Sequence, residues 1–349
     1  MSRLPSVRSL VAALAFGGLG FAIPAVAEEP ALEIVGMGSF HVGGRLAEVS
    51  GQPPRDIVFT PGAPPARIDP NGLYAVEQMY AQWFKPRTER GRVPILLWHG
   101  GGLSGVTYET TPDGREGWVN WFLRRGWTVY NSDAVERGRS GWASPDVWPA
   151  PALHLPVGNP FERFRIGQGE GSYSHDPAKR RVLPGNQFPT EAYDQFPRQL
   201  SPRWTTTDQP TIAAYIALVD KVCPCVIVFH SQAGQFGFRV AQARPDKVMA
   251  LVAVEPSSVG DPARVDVLKA VPTLMLYGDF IEQDPRWPTI RRTGIGFAER
   301  IRAAGGHADV VDLPAAGIRG NSHMIMMDRN SSEVAQVIQT WLQQKGLWR

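Results

Sequence analysis

Short, largely apolar runs and stretches with helical spacing alternate along the chain from residue 93 onwards. The runs that we predict to be strands are residues 93–98, 127–130, 226–229, 249–254, 273–277 and 309–313. Apolar residues recur at helical spacing at 117–125, 211–220, 236–243, 294–304 and 332–344. Buried strands that alternate with helices form a parallel sheet covered on both faces. We therefore predict an α/β fold with a mostly parallel central sheet.

The region before residue 93 has a pattern that is typical of antiparallel edge strands. Residues 32–36 and 39–42 are strand-like, and residues 74–84 form a longer, partly alternating aromatic run. We expect Gly43 and Gly44 to separate the first two segments from the later ones.

Between residues 141 and 204 the regular spacing disappears, and proline and aromatic residues are frequent. Such a stretch is too long for an ordinary connection. Because it leaves the predicted carboxyl edge of the sheet, we predict a cap inserted between two parts of the core, 28–140 and 205–349. Its aromatic residues suggest an apolar pocket. The alternative is a structural excursion that has no role in binding.

The first 27 residues have the pattern of a secretory signal peptide. Arg3 and Arg8 precede an apolar, Gly/Ala-rich run at 10–26, and residues 25–27 fit an A-x-A cleavage site. A membrane anchor is the alternative, but three glycines and a proline interrupt the run. We predict a periplasmic or secreted protein without a stable membrane anchor, with a mature chain that begins at about Glu28.

Charge and composition exclude some classes of partner. The formal net charge is +3, and removal of the predicted signal peptide takes away two arginines and no acid, which leaves +1. No basic block occurs, and aromatic and basic residues do not interleave, so neither nucleic-acid nor membrane-surface binding is predicted.

The chain has two cysteines, Cys223 and Cys225, on either side of Pro224. An exported protein meets an oxidising compartment, which favours a disulfide, although this spacing lies near the limit of disulfide geometry. Two free thiols at the start of a strand are the alternative. We predict no metal site, because further ligands are missing nearby.

The run at 226–229 ends abruptly at His230 and Ser231, and small residues come next. This is how a nucleophile elbow is built, with the serine at a sharp turn between strand and helix. The G-x-S-x-G consensus fails here, because Phe229 and Ala233 replace its glycines. The phenylalanine would have to point away from the turn. The alternative is a serine that caps the following helix.

Other residues supply what a serine nucleophile needs. His323 follows the last predicted strand, and the order serine, acid, late histidine is that of the α/β-hydrolases. The glycines after His99 match an oxyanion loop, with donors expected from the N–H of Gln232 and from Gly101 or Gly102. His230 is expected to point to the opposite side of its strand.

The acid is not decided by the residues alone. Asp279 and Asp284 follow the predicted strand 273–277, the commonest position for the acid in this fold. Glu255 closes the preceding strand, directly before Pro256. A carboxylate buried there needs a partner, and an imidazolium would serve. The residues alone therefore favour neither position.

Six sequence blocks together resemble the exported bacterial α/β-hydrolase esterases typified by the Alcaligenes esterase with a Ser-His-Glu triad. The blocks are residues 99–102, 109–118, 136–140, 230–234, 253–257 and 320–323. The resemblance implies an α/β-hydrolase fold with Ser231 as nucleophile, His323 as base and Glu255 as acid. It also implies a close-spaced disulfide, matched loosely by Cys223 and Cys225, and a tendency to form homodimers.

We therefore predict a serine hydrolase that cleaves small carboxylic esters through an acyl-enzyme, with no metal or organic cofactor. A lactonase or an amidase with the same triad is one alternative, since the tetrahedral chemistry is shared. A binding protein on a hydrolase scaffold is another, but it would require a broken triad. The acyl and alcohol groups of the substrate are not predicted.

Overall fold

An eight-stranded sheet organises residues 30–349, the part of the chain that the computed structural model describes. In spatial order its strands are β1 (Ile34–Val49), β4 (Gly72–Pro86), β6 (Val129–Asp133), β5 (Ile95–Trp98), β7 (Cys225–His230), β8 (Val248–Val254), β9 (Thr273–Tyr277) and β10 (Ala308–Asp312). Strands β5 to β10 are parallel, and β4 is antiparallel to both β1 and β6. The predicted signal peptide, residues 1–27, lies outside the described residues.

Helices cover both faces of this sheet. They are α1 (Trp118–Arg124), α2 (Gly158–Arg163), α3 (Asp208–Val222), α4 (Ala233–Ala243), α5 (Trp287–Ala303) and α6 (Ser331–Gln344). Side chains of α1 and α6 belong to one apolar cluster, and those of α3, α4 and α5 to another. Ile95 and Leu97 of β5 enter the first cluster, whereas Leu96 and Trp98 enter the second, because side chains alternate along a strand. The predicted mostly parallel sheet with helices on both faces is confirmed.

The N-terminal strand differs from the prediction. β1 continues through Gly43 and Gly44, where we expected a break, and pairs with β4 along most of its length. Both glycines have positive φ, and a Cβ on Gly43 would lie 2.8 Å from the Cα of Ala214 in α3. The glycines therefore allow a helix to approach the strand closely, which a sequence pattern cannot distinguish from a turn.

A small antiparallel pair, β2 (Arg55–Ile57) and β3 (Ala66–Ile68), lies outside the main sheet. Cys223 and Cys225 form a disulfide at the start of β7. Within residues 30–349, no helix is both long and apolar enough to cross a bilayer.

The predicted cap segment, residues 141–204, contains α2 and short 3₁₀ turns at Pro177–Lys179, Thr190–Gln195 and Pro197–Gln199. Its residues Phe161, Phe188, Tyr193 and Phe196 are completely buried in the same apolar cluster as α1 and α6. These aromatic side chains therefore hold the segment on the core. None of these four side chains lines the cavity in front of Ser231, whereas Phe164 of the same segment does.

Phe229 fits at the end of β7 because a helix opposite it leaves space for its ring. The side chain is completely buried, as the elbow prediction required, and packs edge-on against Phe238 at a centroid distance of 5.1 Å. A Cβ on Gly237 of α4 would lie 2.4 Å from the ring. Gly237 therefore accommodates the bulk that replaces the first consensus glycine.

We predict that Gly237→Ala destabilises the protein by about 1–3 kcal/mol, because the added methyl group overpacks the Phe229 site. Gly296→Ala is the matched control in α5, where nothing lies within 4 Å of the added Cβ. Relief of glycine's helix penalty should stabilise that variant by about 0.5–1 kcal/mol. Urea midpoints measure both changes, and equal midpoints for the two variants would contradict this account.

Candidate active site

Ser231 lies at the sharp turn between β7 and α4 in a left-handed conformation, with φ +54°. Its N–H donates to the carbonyl of Val254 at 3.1 Å, and its own carbonyl accepts from the N–H groups of Gly234 and Ser257 at 2.9 and 3.0 Å. A Cβ on Gly234 would lie 2.5 Å from the Ser258 carbonyl oxygen. The small residue that this turn needs therefore lies one position later than the consensus places it.

The hydroxyl, an imidazole and a carboxylate form one continuous chain of hydrogen bonds. Oγ of Ser231 lies 2.9 Å from Nε2 of His323, and Nδ1 of His323 lies 2.6 Å from Oε2 of Glu255. His323 stands in the loop between β10 and α6, and Glu255 directly follows β8. The three side chains thus converge at the carboxyl edge of the sheet, as expected for a parallel α/β fold.

Glu255 is fully buried, with φ +45°. Its Oε1 accepts from the N–H of Gly278 at 2.7 Å and from the guanidinium of Arg165, which comes from the cap segment. Burial by itself raises the pKa of this carboxyl, but Arg165 and His323 outweigh burial and hold the pKa at about 2. The carboxylate is therefore ionised throughout the neutral range.

The two competing acids have other partners. Asp279 accepts from the N–H groups of Phe280 and Gly320, at 2.8 and 2.9 Å. Asp284 accepts from the N–H groups at the start of α5. In the described structure, neither carboxylate is hydrogen-bonded to His323. The geometry therefore brings Glu255 to the imidazole and leaves both aspartates in backbone-capping positions.

The His323 loop is held by a buried carboxylate, Asp328. Its oxygens accept from the N–H and the hydroxyl of Ser322, at 2.8 and 2.7 Å, and from the side-chain amide of Asn321. The N–H of His323 donates to the Phe164 carbonyl at 2.8 Å. Burial lowers the pKa of His323 below its usual value of 6.5, although Glu255 acts in the opposite direction. The imidazole is therefore neutral at neutral pH and able to accept a proton.

The glycine-rich loop after β5 lies against the elbow. A Cβ on Gly100 would be 3.0 Å from Cβ of Ser231, and Gly101 lines the cavity in front of it. Gly102 has φ +73° and accepts a hydrogen bond through its carbonyl from the N–H of Ser201. Within residues 30–349, the N–H groups of Gly101 and Gln232 donate to no protein acceptor. These donors can serve an oxyanion.

His99 shapes this loop and takes no part in the hydrogen-bonded chain. Its Nδ1 bonds the Gly100 carbonyl at 2.8 Å, and its Nε2 accepts from the N–H of Ala134 at 3.0 Å. Burial lowers the pKa of His99 to about 4, so the ring is neutral and donates through Nδ1. We assign this tautomer from the hydrogen-bond partners.

A cavity of about 430 Å³ opens above Ser231. The core contributes His323, Gln232, Gly101 and Trp287 to its wall. The other wall comes from the predicted cap segment, through Leu153, Leu155, Asn159, Arg163, Phe164 and Arg203. In the described part of the chain, no cluster of three or more His, Cys, Asp or Glu residues is placed to hold a metal ion.

A solved structure of a bacterial esterase superimposes on this chain with a TM-score of 0.78 and 33% identity, covering 91% of this chain and 98% of that one. The chain belongs to the α/β-hydrolase esterases. A fungal relative, "Probable secreted lipase phiG" from Fungal sp. (strain ATCC 74256), is 25% identical over 78% of this esterase and 88% of its own length. No family model matches the sequence.

The prediction for His230 was wrong. Its ring lies 4.5 Å from that of His323, and its Nε2 bonds the His323 carbonyl at 2.9 Å. Alternation along β7 ends at the left-handed Ser231, so both side chains reach the same histidine. In the esterase, the buried His230 thus packs against His323, a contact that strand periodicity could not indicate.

Arg165 and Trp287 also escaped the sequence analysis. Arg165 contacts Glu255 from the irregular cap segment, and its guanidinium lies 4.9 Å from the centre of the Trp287 ring. That ring in turn lies 4.7 Å from His323. No motif marks Arg165, because it lies in a region without regular spacing and its partner Glu255 is 90 positions away.

We predict that Arg165→Met raises the pKa of His323 and lowers kcat of the esterase about 10- to 100-fold, as expected for loss of a charge-assisted hydrogen bond. The charge of Arg165 lowers the pKa of His323, so its removal makes the imidazole easier to protonate. A general base must be neutral to accept a proton, so activity that depends on His323 as a base is lost as pH falls through this pKa. The acid limb of kcat/KM should therefore move to higher pH.

Arg180→Met is the matched control for this prediction. Arg180 lies in the same segment, with a buried side chain paired to Asp194 at 2.6 Å. Its loss should perturb the segment without moving the acid limb. The measurements are NMR titration of His323 and pH profiles of kcat/KM for the wild-type protein and both variants. An acid limb that does not move in Arg165→Met would contradict this prediction.

Proposed function

We propose that this esterase cleaves carboxylic esters through an acyl-enzyme on Ser231, with His323 as the base and Glu255 as the orienting acid. One observation carries the proposal, namely the unbroken chain from Oγ of Ser231 through both nitrogens of His323 to Glu255, with links of 2.9 and 2.6 Å. Each link lies within the range required for proton transfer or for orientation of a base.

In the first half-reaction, Oγ of Ser231 attacks the ester carbonyl carbon while Nε2 of His323 takes the hydroxyl proton. The charge that develops on the carbonyl oxygen is received by the N–H of Gln232 and by one from Gly101 or Gly102. When the intermediate collapses, the bond to the alcohol oxygen breaks, and His323 returns the proton to that oxygen. The alcohol leaves, and the acyl group stays on Ser231.

In the second half-reaction, water replaces the serine as the attacking group. His323 takes a proton from the water, the acyl carbonyl is attacked, and the proton goes back to Oγ as the carboxylic acid leaves. Glu255 holds Nδ1–H throughout and stabilises the imidazolium in both halves. Its ionised state, maintained by Arg165, supplies the charge that this role needs.

The left-handed backbone of Ser231 supports the nucleophile assignment. A non-glycine residue in this region costs about 1–3 kcal/mol and persists only where its surroundings enforce it. Here the bond to the Val254 carbonyl and the two bonds to the Ser231 carbonyl enforce it. A serine that only capped a helix would have no need of this conformation, since such caps take an extended backbone.

We predict that Ser231→Ala keeps the fold and lowers kcat by at least ~10³-fold on 4-nitrophenyl esters. The hydroxyl is the group that forms the acyl-enzyme under this mechanism, and alanine has no atom to replace it. A fluorophosphonate probe should label the wild-type protein at Ser231, as read by peptide mass spectrometry, and should not label the variant. Near-normal turnover by Ser231→Ala would refute the mechanism.

The acid assignment has a separate test. We predict that Glu255→Gln lowers kcat by about 10³- to 10⁴-fold, because the amide neither stabilises the imidazolium nor fixes its tautomer. Asp279→Asn is the matched control, since that side chain bonds only backbone N–H groups in the described structure. Steady-state kinetics on one ester compares the two variants. A larger loss of kcat in Asp279→Asn than in Glu255→Gln would assign the role of the acid to Asp279.

A further inference from the structure

We infer that the preferred substrates of this esterase are esters that carry a free carboxylate, and that Arg203 binds this carboxylate. The inference rests on the proposed function, because the bound ester must present its carbonyl to Ser231. It goes beyond that function in naming the substrate class and the residue that selects it.

The cavity in front of Ser231 carries an excess of positive charge. Arg163, Arg203 and Arg286 all line it, whereas Asp208 is the only acidic residue among its described lining side chains. A cleft with low-dielectric walls and charge of one sign concentrates ligands of the opposite sign. Neutral esters gain nothing from such a field, and cationic esters are repelled.

Arg203 is the arginine that stands beside the proposed oxyanion loop. A Cβ on Gly101 would lie 2.6 Å from its Nη1 atom. Its backbone N–H and carbonyl both bond Leu153, at 3.1 and 2.7 Å, and Ser201 bonds the Gly102 carbonyl. The guanidinium therefore projects from a fixed backbone at a site next to the reacting carbonyl, which favours preorganised binding.

The donors of this guanidinium are not satisfied by protein groups. Within residues 30–349, the side chain of Arg203 makes no hydrogen bond or ion pair, and its Nε is buried. Arg137, which is only 4% exposed, also has Nε and Nη1 buried without an acceptor. Buried donors without partners are costly, so an anionic acceptor at Arg203 would be favoured.

The charge of Arg203 beside the buried Arg137 supports the same interpretation. Burial and the neighbouring charge of Arg203 lower the pKa of Arg137 to about 9. Burial also lowers the pKa of Arg203, and Asp208 offsets only part of that effect. A carboxylate offers two oxygens in the plane of a guanidinium fork, so it would satisfy donors and charge together.

Two of the other arginines near the cavity are already partnered, and the third is exposed. Arg286 lies 3.6 Å from Asp284 and donates to the Arg163 carbonyl at 3.3 Å. Arg165 is bound to Glu255. Arg163 also lines the cavity, but it is exposed, so water screens its charge. Arg203 is therefore the group in this cavity that would distinguish anionic esters from neutral ones.

The test compares matched esters that differ by one charge. Mono-4-nitrophenyl adipate against its methyl ester places the charge on the acyl side, and 4-acetoxybenzoate against its methyl ester places it on the alcohol side. For at least one pair, kcat/KM of the wild-type protein should favour the anionic ester by about 10- to 100-fold, the value of one charge-assisted contact. High ionic strength should reduce that ratio.

Arg203→Met should reduce the ratio of anionic to neutral kcat/KM about 10-fold or more, towards unity. Arg203→Lys should keep part of the preference, because it retains the charge without the planar fork. Arg198→Met is the matched control, since Arg198 is an exposed arginine of the same segment. It should change neither the ratio nor the basal activity. If Arg203→Met does not fold, as judged by circular dichroism, the comparison of Arg203→Lys with wild type decides.

Two results would overturn the inference. One is a wild-type ratio at or below unity in both pairs, and the other is an Arg203 variant with the wild-type ratio. In either case turnover of the neutral esters, together with fluorophosphonate labelling of Ser231, leaves the proposed function standing. Absence of both turnover and labelling would instead remove the proposed function itself.

Discussion

The buried carboxylate of Glu255 is the point on which the rest of the site depends. It sits where four separate parts of the chain meet, since it follows β8, binds His323 of the last loop, accepts from Gly278 after β9 and is paired with Arg165 of the cap segment. A buried charge that loses one partner costs about 3–5 kcal/mol, so these parts hold one another in place. The same ion cluster that orients the imidazole therefore also fixes the cap segment on the core.

Backbone strain is concentrated around this cluster. Ser231, Glu255 and Arg165 all have positive φ, although none is a glycine. Such conformations persist only when the surroundings enforce them. At Ser231 the enforcing contacts are its backbone hydrogen bonds with Val254, Gly234 and Ser257, and the N–H of Glu255 is held by the Leu276 carbonyl. The rigid core thus holds the hydroxyl, imidazole and carboxylate at hydrogen-bonding distances before any substrate arrives, which is the condition for preorganised catalysis.

The cavity combines a wall from the core with a wall from the cap segment. The core side carries the groups of the proposed chemistry, and the cap side carries Arg203 and the apolar residues around it. Most aromatic side chains of the segment are used to attach it to the core, so few remain for substrate. Charge in a confined space is therefore the property of this cavity that best distinguishes one ester from another.

The sequence by itself determined the alternation of strands and helices, because burial on both faces of a parallel sheet leaves a strong local pattern. It also placed Ser231, Glu255 and His323 at strand ends, from which parallel topology carries side chains to one edge of the sheet. Local pattern could not choose between Glu255 and Asp279, since both follow apolar strands. The resemblance to known esterases favoured Glu255, and the hydrogen-bond partners, formed across long stretches of chain, bring Glu255 rather than Asp279 to the imidazole.

Tertiary structure alone decided the features that depend on close approach between distant segments. Gly43, which the pattern predicted as a break, proved to be the place where α3 meets β1, and Phe229 is accommodated by Gly237 across the strand–helix interface. The positions of His230, Arg165 and Arg203 follow from a left-handed residue and from an irregular segment, neither of which has a period. Periodicity reports which residues are buried, whereas the partners of a buried charge are set by the path of the whole chain.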